Sequence, residues 1–452
     1  MRIAIEGCCH GEVETIYNSL VHIEQKTNSK IDLLLCCGDY EALRNQSDLK
    51  SLAVKDKYRQ MGSFYKYYSG ELVAPILTLV IGGNHESSNY FSELPNGGWL
   101  APNIYYMGRS GVVTFGGLRI MGISGIYKQY DYQKGYYERK PFSEDHIRSI
   151  YHVREMDILK LSALSVPRLD IAFSHDWPLS IVEYGNKAKL LKQKKGFEED
   201  INKDALGNPA TLQLLRLHKP KFWFSGHCHV KFPAVYPHTT KQDQQNSNEN
   251  LTANTSDNDD SNNVLETRFL ALDKVLPNRD FLQVLDFEAK GSLKLCYDIQ
   301  WLLILAKTQA QVKQHTKSTA SPLNPNDFKN LYTVEEIERF EGRFELLHQL
   351  KNPNNNNKEF SKQDILEIPK NFVQNAYCHN ANDLKNICAF DDPYFDNPQE
   401  IVLNNLINVL SSNTEINEET LKQLNVETFS KSVSQQNKKI KYVDDSEINI
   451  DD

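Results

Sequence analysis

Six short apolar runs punctuate the first half of the chain, and each stops in the same way. Ile3-Ala4-Ile5 ends at Gly7, with Cys8-Cys9-His10-Gly11 following. Ile31 to Cys37 ends at Gly38-Asp39, and Ala74 to Ile81 ends at Gly82-Gly83-Asn84-His85-Glu86. Leu118 to Ile123 runs into Ser124-Gly125-Ile126-Tyr127. Leu169 to Phe173 ends at Ser174-His175-Asp176-Trp177-Pro178. Phe222-Trp223-Phe224 ends at Ser225-Gly226-His227-Cys228-His229. The runs are continuously apolar rather than alternating, which predicts strands buried on both faces. Ile16, Leu20 and Ile23 fall at helical spacing and predict a helix over Val13 to Gln25. Buried strands alternating with helical segments predict an α/β fold whose sheet is covered on both faces.

In such folds, ligands sit beyond the carboxyl ends of the strands. Cys8, His10, Asp39, Asn84, His85, His175, His227 and His229 all fall at those ends. Any one of these sites alone reads as ordinary turn chemistry. Their coincidence is the signal. In an extended backbone, positions i and i+2 face the same way, so His227 and His229 are expected to point at one place, as are Cys8 and His10. The two oxygens of Asp39 can bridge two cations. A mixed N, O and S donor set suits Zn, Fe(II) or Mn(II) rather than Mg or Ca. Two cations about 3.5–4 Å apart can clamp the oxygens of a phosphodiester during in-line attack. His85 follows Asn84 directly and is expected beside the ligands, placed to protonate a leaving oxygen or to stabilise phosphoryl charge.

The segment from Tyr127 to Glu155 interleaves aromatic and basic residues. Tyr127, Lys128, Tyr132, Tyr136, Tyr137, Arg139, Arg148, His152 and Arg154 suit stacking on bases and pairing with phosphates. The alternative is an amphipathic segment that packs its own aromatics. His22, His218, His315 and His348 lack any such context and read as surface residues.

Composition narrows the remainder. A net charge of -8 over 452 residues means that any nucleic-acid partner must be met by a local basic patch. The eight cysteines form no CxxC pair, and two adjacent pairs lie in apolar runs, a pattern suited to a reducing compartment. The first strand begins at Arg2-Ile3, leaving no room for a signal peptide. No apolar run reaches about 18 residues, so no membrane span is expected.

Thr239 to Asn263 is rich in Asn, Gln, Asp and Ser and reads as a disordered insertion. Strand-like runs resume between Val264 and Phe287 and at Leu293 to Tyr297, with a helix starting near Trp301. Pro322 to Pro325 reads as a linker, Val334 to Leu350 as a helix, and Asn352 to Lys358 as a spacer. The expected organisation is a catalytic domain over 1–235, a low-complexity insertion over 236–263, a C-terminal domain over 264–400, and a disordered tail over 401–452. Lys438-Lys439-Ile440-Lys441 reads as a solvated basic run, with a nuclear-import signal as the alternative.

The motifs resemble those of the calcineurin-like metallophosphoesterases, which run D-x-H, G-D, G-N-H-E, H and G-H-x-H. The matching stretches are Cys8-Cys9-His10, Gly38-Asp39, Gly83-Asn84-His85-Glu86, His175 and Gly226-His227-Cys228-His229. A cysteine replaces the first aspartate. That departure resembles the RNA lariat debranching enzymes, which carry G-C-x-H-G there. Asn96-Gly97-Gly98-Trp99, Ser124-Gly125-Ile126-Tyr127, Ser174-His175-Asp176-Trp177-Pro178 and Phe269-Leu270-Ala271-Leu272-Asp273-Lys274 fit the same narrower family.

The resemblance implies an αββα sandwich with a smaller C-terminal domain. It implies hydrolysis of the 2′,5′-phosphodiester at the branch point of excised intron lariat RNA, leaving linear RNA with a 5′-phosphate. By position, Cys8, His10, Asp39 and His229 form one metal site, and Asp39, Asn84, His175 and His227 form the other. One or two ions of Fe(II), Zn(II) or Mn(II) are implied. Three states of the Cys8 site stay open: filled by Fe(II) or Zn, filled only with substrate, or empty. Tyr127 to Glu155 would be the lariat-recognition region. The implied partners are branched intron lariat RNA and, through the C-terminal region, splicing-associated proteins, with no membrane. The implied location is the nucleus, with the cytoplasm second. Cys8 and the aromatic-basic segment speak against a protein phosphatase or DNA nuclease. The intact ligand residues speak against a non-catalytic scaffold, and their His/Asp/Asn character against an RNA-binding module with a structural zinc.

Overall fold

The structure is a computed structural model that describes residues 1–165, 167–238, 265–353, 361–379 and 397–427. Its core is two stacked sheets. The strands are β1 (Arg2–Glu6), β2 (Leu33–Cys36), β3 (Thr78–Val80), β4 (Gly98–Ala101), β5 (Ile104–Tyr106), β6 (Ser110–Phe115), β7 (Leu118–Ile123), β8 (Ile171–Ser174), β9 (Phe222–Ser225), β10 (Phe232–Pro237), β11 (Glu266–Ala271), β12 (Leu282–Asp286) and β13 (Leu295–Tyr297). The first sheet runs β12-β1-β2-β3-β5-β4 and the second β10-β11-β9-β8-β7-β6-β13. All six apolar runs read from the sequence supply these strands or lead into them.

Strand alternation builds the layers. Ile3 and Ile5 of β1, with Leu33 and Leu35 of β2, meet Ile120, Ile171, Phe173 and Phe224 of the second sheet in one buried core. Ala4, Leu34 and Val80 face the other way, onto Ile16, Tyr17 and Leu20 of the helix Val13–Thr27. On the far face of the second sheet, Met121, Ala172 and Trp223 pack with residues of the helices Glu155–Ser162, Pro209–His218 and Ile299–Gln314. Helix, sheet, sheet, helix is therefore the order of layers, as expected.

The domain division differs from the expectation. β11 lies between β9 and β10, β12 pairs with β1, and β13 pairs with β6. Strands beyond residue 264 thus complete both sheets begun by residues 1–235. The tail expectation is also corrected in part. The helix Pro398–Ser411 buries Leu403, Leu406, Ile407 and Leu410 in the core of the second sheet, and a further helix spans Glu418–Gln423. Its apolar positions are spaced for one face, a pattern that the many Asn and Glu residues around it obscure. The insertion after residue 238 and Lys438 to Lys441 lie outside the described residues. No helix among the described residues is long and apolar enough to cross a membrane.

Candidate active site

The ligand-type residues converge because the parallel strands of both sheets end on one rim. Three glycines let the loops close. A Cβ on Gly38 would lie 2.4 Å from His175 Nδ1, one on Gly83 2.2 Å from Asp39 Oδ1, and one on Gly226 2.6 Å from the Gly7 carbonyl. Any side chain there would force the loops apart. The buried Glu86 carboxylate then ties two loops together, accepting from the backbone N–H groups of Gly83 and Tyr40 (both 2.8 Å) and Glu41 (2.9 Å).

Two donor groups share Asp39. In one, His175 Nδ1 donates to the Cys37 carbonyl at 2.7 Å, which fixes the tautomer and leaves a lone pair on Nε2. That nitrogen faces Asp39 Oδ1 at 3.3 Å and Asn84 Oδ1 at 3.2 Å. The His227 ring lies 4.9 Å from the His175 ring. In the other group, the ligand atoms of Cys8, His10, Asp39 and His229 all fall within 4.8 Å of one another. His10 Nε2 is 3.1 Å from His229 Nε2 and 3.6 Å from Asp39 Oδ2. Each Asp39 oxygen thus serves one group.

The electrostatics suit a cation. Burial opposes ionisation of Asp39, but His175 leads a set of neighbours that hold its carboxyl well below the usual range. Burial lowers His175 to about 4. Burial, followed by His10, lowers His229 to about 3. Both imidazoles are therefore neutral lone-pair donors at neutral pH. Burial also lowers His10, but Glu41 and Asp39 outweigh it and raise the net value. Burial pushes the Cys8 thiol well up, with Asp39 and Glu6 adding to it. A cation reverses that logic, because a coordinating thiol loses its proton. Lone pairs of His175, Asp39 and Asn84 converge with no proton between them, which is the arrangement a cation would satisfy.

Strand alternation does not set the directions of His227 and His229, although Cys8 and His10 do meet. His10, His227 and His229 have φ of 49°, 62° and 49°, in the left-handed region. His227 and His229 therefore diverge, one to His175 and the other to His10. The turn directs them, not an extended backbone. His85 stands beside both groups. Its backbone N–H donates to Asp39 Oδ1 at 2.9 Å, and its ring meets the His10 ring edge-on at 5.3 Å.

The aromatic-basic segment divides by burial. The Tyr127 N–H donates to Asp176 Oδ2 at 3.2 Å, which brings the segment to the rim beside His175. Lys128, Arg139 and Arg148 are exposed, and Tyr127, Tyr132 and Tyr137 are half-buried. Tyr136, His152 and Arg154 are buried. Arg154 donates to Glu138 at 2.5 Å and to the Asp131 carbonyl at 2.9 Å. His152 Nδ1 meets Asp131 at 2.5 Å, and Tyr136 carries the Arg109 guanidinium 3.8 Å from its ring centroid. These three hold the segment's shape from within. The sequence pattern alone could not separate them from the outward set.

Comparison with known proteins decides the family. Residues 1–231 match the calcineurin-like phosphoesterase family, and residues 264–412 match the lariat debranching enzyme C-terminal domain. The lariat debranching enzyme of Arabidopsis thaliana is 48% identical over 308 residues, which cover 68% of each chain. The chain belongs to the lariat debranching enzyme family. Lariat debranching enzyme A of Xenopus laevis is 51% identical over 330 residues, covering 72% of this chain and 58% of that one. The Homo sapiens enzyme is 46% identical over 384 residues, covering 84% and 64%. The chain therefore spans less than two thirds of the length of these two relatives.

A phosphoesterase domain of this family implies divalent-metal binding, and the two donor groups fit it. Beyond the expected ligands, the structure adds Glu86 as the tie between loops, Asp176 as the acceptor for Tyr127, and Glu41, whose Oε1 lies 3.4 Å from His10 Nδ1. Glu86 and Asp176 stand inside quoted motifs, so adjacency was the available signal. Two of the other histidines are not surface residues. His315 is buried, and His218 is hydrogen-bonded to the Leu161 carbonyl at 2.9 Å.

Proposed function

We propose that this chain hydrolyses the 2′,5′-phosphodiester at the branch point of excised intron lariat RNA. The products are linear RNA with a 5′-phosphate and a free 2′-hydroxyl at the branch nucleotide. The observation that carries the reading is Asp39, which offers one oxygen to each of two donor groups at the shared rim. Cys8, His10, Asp39 and His229 would hold one cation, and Asp39, Asn84, His175 and His227 the other. Fe(II), Zn(II) or Mn(II) would supply positive charge that polarises the phosphate and makes water a better nucleophile.

The chain's own residues do the rest. Water attacks phosphorus in line, the P–O2′ bond breaks, and His85 passes a proton to the departing 2′ oxygen. The hydrogen bond from the His85 N–H to Asp39 fixes that imidazole relative to the ligands. Lys128, Arg139 and Arg148 are exposed, and Tyr127 half-buried beside them, where bases and phosphates would approach. The same reading assigns the chain to the nucleus, where introns are excised, and its C-terminal region to contact with splicing-associated proteins.

The test is one RNA in which a single nucleotide carries both a 2′,5′ and a 3′,5′ linkage. Reduced protein is given Fe(II), Zn(II) and Mn(II) separately, and the products are mapped. Cleavage confined to the 2′,5′ bond is expected. Cleavage of both linkages, or of neither with any metal, overturns the reading.

A further inference from the structure

Among the described residues, a cavity of about 700 Å³ opens on the second sheet, away from the Asp39 centre. β7, β8 and β9 run parallel, and His175 and the His227–His229 turn follow the carboxyl ends of β8 and β9. Asp170 and Lys221 stand just before the starts of β8 and β9, so the cavity that they line lies at the opposite rim. Its other walls come from β13, the loop at Lys290, and the helices Val334–Lys351 and Lys362–Leu366.

Asp170 is the fixed point of this rim. It is buried, and its Oδ2 accepts the Arg119 N–H at 3.0 Å. Its own N–H donates to the Arg119 carbonyl at 3.0 Å, and its carbonyl accepts the Phe222 N–H at 3.1 Å. The carboxylate is thus held between β7 and β9. Burial opposes its ionisation, but the Arg119 N–H and the ammonium groups of Lys221 and Lys290 hold it below the usual carboxylate range. Both ammonium groups bond the same oxygen, Oδ1, Lys221 at 3.0 Å and Lys290 at 3.1 Å. Two cations therefore stand side by side on one carboxylate oxygen. Gly117 lets the Lys290 loop approach, since a Cβ there would lie 2.8 Å from the Lys290 Cβ. At Lys294 the balance runs the other way, with one ammonium taking both Asp364 and Glu367.

The remaining charges do not cancel the surplus. Arg119 pairs with Asp298, and Lys362 with Glu341. Arg168 donates to the Lys219 carbonyl and, at 3.0 Å, to the Glu266 carbonyl, with no carboxylate partner among the described residues. Five cationic side chains and three carboxylates line the cavity, an excess of two positive charges on a chain whose net charge is -8.

Adjacent ammonium groups and a twofold excess of charge suit a dianion with several oxygens on one centre. A phosphate monoester carries about −1.5 to −2 at pH 7 and three acceptor oxygens, whereas a carboxylate carries one charge. The volume asks for more than a phosphate, and it falls in the range of small-molecule sites. Tyr297, Ile299, Ile337 and Leu366 give the rest of the wall an apolar and aromatic character. We propose that this cavity binds an organic phosphate monoester of nucleotide size, with its phosphate at Lys221 and Lys290 and its ring toward Tyr297. The site goes beyond the proposed function and needs neither the cation centre nor turnover. Asp170, Lys221 and Lys290 come from three separate stretches of chain, so no motif marks them in the sequence.

The experiment is a calorimetric titration of the full-length, Mn(II)-loaded protein with AMP, adenosine, inorganic phosphate and a 5′-phosphorylated RNA pentamer. AMP should bind saturably at one site per chain, and adenosine should not bind. Inorganic phosphate should bind at least about tenfold more weakly than AMP, because it lacks the body that meets the apolar wall. Lys290→Gln leaves Asp170 its Lys221 partner and should weaken AMP about tenfold, the usual worth of one hydrogen bond to a charged group. K221A/K290A should abolish binding, and Asp39→Asn should bind AMP as wild type does. AMP should raise the melting temperature of wild type and not of K221A/K290A. Circular dichroism of each variant without ligand excludes misfolding as the cause.

If AMP does not bind, or adenosine binds equally well, the site is overturned. AMP binding that is lost in Asp39→Asn and kept in Lys290→Gln belongs to the cation centre and overturns it as well. An RNA pentamer that binds where AMP does not would overturn the small ligand. None of these outcomes depends on whether the chain cleaves branched RNA, so the two proposals fail separately.

Discussion

His85 differs from the histidines around it in what it gives to Asp39. The others offer ring nitrogens, whereas His85 offers its backbone N–H at 2.9 Å, and the proposed reaction uses its imidazole on the leaving oxygen. His85→Ala should therefore lower kcat about 10²–10⁴-fold, the usual worth of a general acid. Cation content, measured by elemental analysis, should not change. An equal loss of bound cation would make His85 a ligand and contradict the assignment. Cys8 is the residue that departs from the wider superfamily. Its sulfur accepts the His227 N–H at 2.9 Å and lies with His10, Asp39 and His229. Thiolates are soft and oxidisable. Peroxide should inactivate the wild type, and Cys8→Asp should resist it and shift preference toward Mn(II). Equal sensitivity of the two proteins would remove Cys8 from the ligand set.

Between the residue and the whole molecule, loops do the positioning. Arg44 is buried and bonds Asp48 at 2.7 Å, Glu93 at 2.9 Å and Asn375 at 3.2 Å, with its guanidinium 3.8 Å from the Tyr90 ring centroid. It follows the Asp39 loop, Glu93 follows the Asn84 loop, and Asn375 comes from the C-terminal segment. One guanidinium thus locks three stretches behind the ligands. Arg44→Ala leaves the buried Asp48 carboxylate without its ion-pair partner and Glu93 with only Lys140, at 3.5 Å, and should cost about 3–5 kcal/mol. Denaturant unfolding would read it, and a stability within error of wild type would refute it.

Buried strands were legible because continuous apolar runs have few other readings. β10 was not. It alternates Phe232, Ala234 and Tyr236 inward and carries Pro233 and Pro237. Prolines are tolerated there because β10 is the edge of its sheet. Ligand-type residues were legible at five of the six strand ends, but the direction of their side chains was not. Left-handed turns at His227 and His229 send neighbouring rings to different groups, and no periodicity encodes that.

At the scale of the molecule, the chain folds as one interleaved sandwich. β11, β12 and β13 close sheets begun by residues near the N-terminus, and Pro398–Ser411 covers the second sheet. A fragment of residues 1–235 leaves β1, β6 and β9 with unpaired edges and exposes apolar surface. It should aggregate, while residues 1–427 should melt in the same transition as the full chain. A soluble fragment of 1–235 with a cooperative melt would contradict this. The sequence showed a change of character after His229, which suggested a boundary, but pairing between strands hundreds of residues apart leaves no local mark. Tyr136 and Arg154 were misread for a related reason. Their composition suits RNA, and only burial shows that Arg154 meets Glu138 instead.

The proposed chemistry depends most on the strand-end cluster being a cation centre shared through Asp39. The direct measurement is anomalous X-ray scattering from crystals of the full chain loaded with Mn(II), beside crystals of Asp39→Asn treated identically. Anomalous density is expected between Asp39 and the His175, Asn84 and His227 group, or between Asp39 and the Cys8, His10 and His229 group, and should be lost in the variant. Anomalous density away from Asp39, or density that survives Asp39→Asn at full height, would contradict it.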